Sequence, residues 1–153
     1  MPEKSPTKGQ TRRRLLLTGV AGLATAAIVS PASGGDEAAD LIERLMGRTA
    51  TESDRLHLVM PRTFPNGYTV PLMLEVDSAM TEDDYVRLVR VVAPRNPLMD
   101  VATFHFLPQR SQPRVSTRIR LAEPQYVLAV AEMNDGTLLM AKTWVEVATN
   151  GCA

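Results

Sequence analysis

The chain has 153 residues, which suits one ordinary domain, and 44% of them are hydrophobic, enough to build a core. Seventeen Lys and Arg balance seventeen Asp and Glu, so the charge gives no indication of nucleic-acid binding. The basic residues are concentrated at the start of the chain. Residues 1–34 carry five basic residues and one acidic residue, which leaves 12 basic against 16 acidic residues in the mildly acidic remainder.

Residues 1–34 are predicted to be a cleaved export signal. They contain a basic start, an apolar run of Leu, Val, Ala and Ile, and then small residues, which is the usual layout of such a signal. Arg12 and Arg13, followed closely by leucines, favour the twin-arginine type; a general secretory signal is the alternative. Two glycines and Pro31 disfavour a membrane-spanning helix. We expect a periplasmic mature protein with no membrane anchor after cleavage.

A short amphipathic helix is predicted over 36–47, directly after the signal. Asp36 can cap its start and Gly47 can end it. Apolar residues recur there with helical spacing, at Leu41, Ile42, Leu45 and Met46. The helix packs either on its own domain or on a partner, and the sequence leaves both interpretations open.

Seven short strands follow and predict an all-β fold. The sequence runs are 56–59, 68–76, 85–93, 101–107, 114–121, 125–133 and 137–147. Asn134, Asp135 and Gly136 form a strong hairpin signal before the last strand, and Pro71 suggests a sheet edge or a bulge. The pattern favours an immunoglobulin-like antiparallel β-sandwich over residues 35–148. With a single cysteine the chain lacks the Cys–Trp–Cys core of a true antibody domain.

The body of the chain offers little reactive chemistry. His57 and His105 each lie in a predicted strand without the spacing of a zinc site, so we expect structural or surface roles and no metal or cofactor. The acidic run 82–84 is interpreted as a solvated loop. Arg118 and Arg120 share one strand face, which either binds an anion or a partner's carboxylates or is simply solvated.

The chemistry is concentrated at Cys152, the only cysteine and the penultimate residue. In an oxidising compartment it must be free, paired with another molecule or chemically loaded. Residues 149–153 are predicted to form a C-terminal arm, whose small residues let the thiol move. From Val147 the extended chain would carry Cys152 about 17 Å. Such an arm suits a covalent carrier, as lipoyl and phosphopantetheine arms do; an incidental terminus is the alternative.

Four segments together resemble the SoxY family, the sulfur-carrier subunit of the periplasmic thiosulfate-oxidising system. They read PNGYTVPLMLEVD, NPLMDVATFHFLP, VSTRIRLAEPQYVLAVAEMNDG and VEVATNGC. The resemblance implies an immunoglobulin-like sandwich that is not itself an enzyme and that carries sulfur on Cys152. It also implies a SoxZ-type second subunit, a thiosulfate-oxidising cytochrome, a sulfate-releasing hydrolase and, where present, a sulfane dehydrogenase.

The arm departs from the family's Gly-Gly-Cys-Gly-Gly pattern. Asn150 stands for the first glycine, Gly151 and Cys152 match, Ala153 stands for the next glycine, and the last glycine is absent. We expect a stiffer arm, and a nearby terminal carboxylate that disfavours the thiolate. The departure leaves two alternatives open. One is a divergent SoxY-like carrier or binding module of another periplasmic oxidation system; the other is a structural domain that uses Cys152 as a dimer clasp.

Overall fold

A computed structural model describes residues 34–148, so residues 1–33 of the predicted signal and the arm 149–153 lie outside the described part. The described chain begins with one helix, α1 (Gly34–Met46). Nine strands follow: β1 (Thr51–Glu52), β2 (Leu56–Val59), β3 (Thr63–Phe64), β4 (Val70–Val76), β5 (Val86–Val92), β6 (Asp100–His105), β7 (Arg114–Ile119), β8 (Gln125–Met133) and β9 (Leu138–Val147). None of the helical structure described is long and apolar enough to cross a membrane.

The strands form two sheets, and the predicted immunoglobulin-like sandwich is confirmed. One sheet has the order β1-β9-β8-β5-β6, with β3 also paired to β9; the other has the order β2-β4-β7. Seven of the strands have four residues or more, and each matches one predicted run to within two residues at either end. The two-residue strands β1 and β3 were not predicted, and both pair with β9 in parallel rather than antiparallel fashion.

The core lies between the two sheets because the strands alternate buried and less buried residues. In β4, Leu72 and Leu74 are fully buried while Met73 between them is exposed. They face fully buried valines of the larger sheet, among them Val89 and Val127. This period of two is the pattern that identified the strands in the sequence.

Strand β8 departs from that alternation, because both of its faces are covered. Ala38 and Ile42 of α1 pack with Leu128, Val130 and Met140 in a second apolar cluster. The helix therefore lies on the outer face of β8 and β9 and packs on its own domain through Ile42, whereas Leu45 of the predicted apolar stripe is 36% exposed.

The hairpin between β8 and β9 forms at the predicted turn. The Gly136 amide donates to the Met133 carbonyl (3.0 Å), and the Met133 amide donates to the Thr137 carbonyl (2.9 Å). Gly136 has φ +88°, a left-handed conformation that glycine adopts at no steric cost. This three-residue loop fixes the register of β8 against β9.

Pro71 lies in a central strand, since β4 is flanked by β2 and β7. The strand as a whole is therefore central, but the predicted edge position holds locally at Pro71. Pairing with β2 stops at Met73, opposite Val59, while pairing with β7 continues to Val70. At Pro71 the sheet is locally two-stranded, so a residue without an amide hydrogen is tolerated there.

The last residue of the acidic run, Asp84, organises the loop between β4 and β5. Its carboxylate accepts a hydrogen bond from Arg55 (2.9 Å) and another from the amide of Ala79 (3.2 Å). The Arg55 hydrogen bond, helped by the Ala79 amide, lowers the pKa of Asp84. The run is therefore not purely solvated, because two of its three carboxylates are hydrogen-bonded: Asp84 as described, and Glu82, which accepts from the Gln109 side chain (3.4 Å).

The lowered pKa predicts an acid-dependent contribution to stability. A depressed folded pKa stabilises the fold above the ordinary aspartate pKa of about 4, and this contribution disappears as pH falls through the lower folded value. We expect Asp84→Asn to reduce the free energy of unfolding at pH 7 by less than about 1 kcal/mol, because both partners are partly exposed. Chemical unfolding of wild type and variant between pH 2 and about 7 measures the difference.

The matched control is Asp83→Asn, whose side chain makes none of these bonds. The Asp83→Asn variant should show the same pH dependence of the free energy of unfolding as the wild type. The difference in free energy of unfolding between wild type and Asp84→Asn, by contrast, should disappear below about pH 4. A gap that stays constant down to pH 2 would contradict the role given to the Asp84 carboxylate.

Candidate functional site

The base of the predicted arm is held by backbone hydrogen bonds at the end of β9. Strand β3 runs parallel to it, with Thr63 opposite Glu146 and Phe64 opposite Val147. The Glu146 amide donates to the Arg62 carbonyl (2.8 Å), and the Ala148 amide donates to the Phe64 carbonyl (3.3 Å). The chain is thus fixed through Ala148, one residue beyond the predicted end of the strand.

Cys152 itself lies outside the described residues, but its distance along the chain from the fixed base is known. It follows Ala148 by four residues. Four extended residues span at most about 13–14 Å. The Cα of Cys152 therefore lies at most that far from the Cα of Ala148, and the thiol can extend further by the length of its side chain.

The strand order brings several other segments to the same end of the sandwich. A single row of paired residues crosses the larger sheet there, from Asp100 to Val92, Leu128 and Lys142. The end of β9 therefore lies at the same end of the sheet as the end of β5, the start of β6 and the start of β8. The loops 93–99 and 120–124 complete this arm-bearing end.

A buried polar network joins these two loops. The side chains of Asn96 and Gln125 are only 9% and 1% exposed. Gln125 accepts from the Arg95 amide (2.8 Å) and donates to the Asn96 side-chain oxygen (3.0 Å). That oxygen also accepts from the Ala122 amide (2.8 Å), while the Asn96 amide group donates to the Arg120 carbonyl (2.8 Å). Buried polar groups satisfied in this way fix the loops relative to each other.

Two exposed aromatic residues lie on the outer face of the larger sheet, near the end of β9. Tyr126 and Trp144 are 43% and 38% exposed, and their rings meet edge to face with centroids 5.1 Å apart. The Arg95 guanidinium lies 5.9 Å from the Trp144 ring centroid, and the Trp144 indole donates to Glu146 (3.2 Å). The pair is thus held in place from both sides although it faces solvent.

The charged groups at this end are mainly basic. Arg118 and Arg120 are exposed at the end of the smaller sheet, and neither has a carboxylate within 4.0 Å among residues 34–148. Arg95, by contrast, pairs with Glu123 at 3.4 Å. Strand β7 ends at Ile119, so only Arg118 lies on its exposed face as predicted, whereas Arg120 follows in the loop; both side chains are exposed to solvent.

The two histidines lie in different sheets and do not form a common site. His57 on β2 lies 3.0 Å from the Asp77 carboxylate, and His105 is exposed on β6 in the other sheet. Within the described part of the chain no three His, Asp or Glu side chains are grouped as metal ligands would be.

Comparison with known proteins decides the family. The family model described as sulfur oxidation protein SoxY matches residues 42–152. The matched region begins within α1, includes all nine strands described and extends to Cys152. The chain belongs to the SoxY family. No curated protein matches the sequence at a significant level.

Solved structures agree with this membership. The sulfur carrier protein SoxY from Chlorobium limicola is 27% identical, with a TM-score of 0.59 over 74% of this chain and 98% of that one. The neelaredoxin-type superoxide reductase of Ignicoccus hospitalis is 15% identical, with a TM-score of 0.55 over 75% of this chain and 98% of that one. A putative superoxide reductase from Thermotoga maritima, also 15% identical, reaches 0.55 over 64% and 93%. The last two share the fold alone.

For this SoxY-family chain, several predicted site residues remain predictions. Cys152, Asn150, Gly151 and Ala153 of the arm lie outside the described residues. The same is true of Arg12 and Arg13 of the signal.

The structure adds residues that the sequence analysis missed. The buried pair Asn96 and Gln125 gave no signal beyond an Asn-Pro turn and a polar strand start. Tyr126 and Trp144 are placed in strands by the sequence analysis, which does not predict that both side chains lie on the same face of the sheet. Their positions opposite each other across the β8–β9 hairpin could have been counted from the turn at Gly136.

Proposed function

We propose that this chain is a covalent carrier of sulfur intermediates on the Cys152 thiol during periplasmic thiosulfate oxidation. The observation that carries the proposal is the SoxY family match, which extends through the chain's only cysteine. The structurally similar Chlorobium protein is itself described as a sulfur carrier. The fixed end of β9 supports the proposal, because it defines a base from which a short arm presents a thiol to other proteins.

The loading step joins the outer sulfur of thiosulfate to the Cys152 sulfur. The S–H bond breaks and an S–S bond forms, giving a cysteine S-thiosulfonate, one proton and two electrons. A thiosulfate-oxidising cytochrome partner takes the electrons. The chain contributes the accessible sulfur, and the redox centre belongs to the partner.

The release step is a hydrolysis at the terminal sulfone. Water adds to the sulfonate sulfur, the S–S bond to it breaks, and sulfate leaves while a persulfide stays on Cys152. A sulfate-releasing hydrolase performs this step, and a sulfane dehydrogenase, where present, oxidises the remaining sulfur. The carrier is not an enzyme in this scheme, and it works together with a SoxZ-type subunit supplied by another chain.

The proposed compartment follows from the first 34 residues. Arg12 and Arg13 direct the folded chain through the twin-arginine exporter, and cleavage leaves a periplasmic protein. An oxidising periplasm suits a thiol whose work is to form S–S bonds with its cargo.

The arm sequence favours a second candidate. Asn150 and Ala153 replace glycines of the family pattern, and this difference favours a divergent carrier or binding module of another periplasmic oxidation system. A structural domain with Cys152 as a dimer clasp is the remaining alternative.

The decisive experiment is the intact mass of the mature protein, purified without reductant from cells grown with and without thiosulfate. The expected result is a thiosulfate-dependent increase by one thiosulfonate group. Reductant should remove the addition, and the Cys152→Ser variant should never acquire it.

Two other results would overturn the proposal. An unmodified thiol under both conditions would favour the divergent carrier, and a plain disulfide dimer under both would favour the clasp. Loss of the dimer alone in Cys152→Ser, with sulfur turnover unchanged, would establish the clasp.

A further inference from the structure

Strand β6 forms an open edge of the larger sheet. It pairs with β5 on one side only and is the last strand in the order. In an antiparallel pair, alternate residues point their backbone groups away from the neighbour. Within residues 34–148 no further strand lies beside β6 to receive them. An edge of this kind is a template for a strand from another chain.

Exposed apolar side chains flank this edge strand. Proteins usually place charged residues at such positions. Leu98 and Met99 precede β6 and are 82% and 38% exposed, and Leu107 follows it at 60%. Leu98 is the most exposed of the large apolar side chains in the described part of the chain. Apolar side chains at both ends of an unpaired edge indicate an interaction surface.

A groove of about 430 Å³ runs beside the edge, between β6 and β7. Val101 and Phe104 form one wall, and Ile119 lies at the other. Arg118 and Arg120 stand on the β7 side of this β6–β7 groove and have no carboxylate within 4.0 Å among the described residues. Asp100 on the opposite side is paired with Arg90 (3.4 Å). The rim is therefore apolar and positively charged.

We propose that a strand of a partner β-sheet chain adds to β6, with apolar side chains in the β6–β7 groove and carboxylates against Arg118 and Arg120. The identity of the partner rests on the proposed function, which supplies a SoxZ-type subunit. Backbone pairing gives such a contact its affinity, and the side-chain pockets give it specificity. The two arginines exclude a partner strand that is basic at the same positions.

The location of this edge fits a carrier. The start of β6 and the end of β9 point to the same end of the sheet, and three strand spacings, about 14 Å, separate the two strands across it. The row through Asp100, Val92, Leu128 and Lys142 meets β9 five residues before Val147, so the end of β9 lies about 17 Å further along the strand. A partner docked on β6 therefore lies toward the arm-bearing end and leaves β9 uncovered.

The test measures binding of the SoxZ-type subunit to the mature chain in which Leu98 and Leu107 are each replaced by Asp. Both side chains are largely exposed, so the variant should keep the melting temperature of the wild type. Burying unpaired carboxylates in the contact should raise Kd at least about ten-fold. Val59→Asp is the matched control, since Val59 is 56% exposed on β2, away from the groove, and it should stay within about two-fold of wild type.

The charge requirement is tested with Arg118→Gln and Arg120→Gln together. This variant should weaken binding and reduce its dependence on salt, while Arg44→Gln on α1 should do neither. Hydrogen exchange gives an independent readout, because amides of β6 should slow on binding.

All measurements are repeated with Cys152→Ser, so that failure of sulfur loading leaves the docking result intact. The inference is overturned if the wild type does not bind the SoxZ-type subunit, or if the Leu98/Leu107 variant binds it as the wild type does. Slower hydrogen exchange in β2 instead of β6 on binding would also overturn it. So would a Leu98/Leu107 variant that loses self-association of this chain but not binding of the SoxZ-type subunit. None of these results would affect the mass measurement on Cys152.

Discussion

Deletion of Thr149 and Asn150 is expected to slow the loading of Cys152 by about a hundred-fold or more, even though the thiol remains. The Ala148 amide is bonded to the Phe64 carbonyl, so only residues beyond Ala148 extend the arm. The deletion shortens its reach from about 13 Å to about 7 Å. An error of about 1 Å in the position of a reacting group is enough to lower a rate about a hundred-fold. The measurement is the rate of mass increase on Cys152 with thiosulfate and the cytochrome partner.

The control keeps the length and changes the composition. Replacing Thr149 and Asn150 by glycines leaves Cys152 four residues beyond the fixed base, and this variant should load at least as fast as the wild type. Equal loading of the deletion variant and the wild type would show that the reach from Ala148 does not limit the reaction. Slow loading of the glycine variant would show that residue identity matters more than length.

Gln125→Leu is expected to have the largest effect on stability among the polar substitutions. The side chain is 1% exposed and bonds both the Arg95 amide and Asn96. Leucine fills the space but leaves buried polar groups without partners, which costs about 2–3 kcal/mol. For a domain of this size the melting temperature should fall by about 10 °C. Thermal and chemical unfolding measure both quantities.

Gln112→Leu is the matched control, because Gln112 is exposed and the chemical change is the same. It should alter the free energy of unfolding by less than about 0.5 kcal/mol. Hydrogen exchange should also rise in the loop 93–99 of Gln125→Leu, since that loop is held by Asn96 and the Arg95 amide. If Gln125→Leu were as stable as Gln112→Leu, the network would not hold the arm-bearing end together.

The long strands could be predicted because each has one face in the core. Residues 114–121 alternate apolar and polar side chains, and β7 occupies residues within that run. β8 was also found although it does not alternate, because its apolar run is long and ends at a clear turn. Such patterns depend only on residues that are close together in the sequence, so they can be recognised without knowledge of the fold.

The candidate site was less predictable because it depends on contacts between distant segments. Strand β3 has only two residues, too few to show the alternation of a strand in the sequence. Its pairing with β9 depends on how the rest of the chain folds between them. Asn96 and Gln125 are 29 residues apart, and their partners include four backbone groups that carry no sequence signal. The local edge at Pro71 could be predicted from the proline, but not the central position of its strand, since the length and pairing of the neighbouring strand β2 decide it.

Trp144 is the chain's only tryptophan, and it lies on the strand that carries the cysteine arm. All indole fluorescence of the protein therefore originates at one end of one sheet. The ring is partly in water and in contact with Tyr126 and Arg95, so its emission responds to any change in hydration or in the position of that guanidinium. The protein thus carries an intrinsic optical probe at the arm-bearing end of the sandwich, and binding at this end can be followed in unlabelled material in real time.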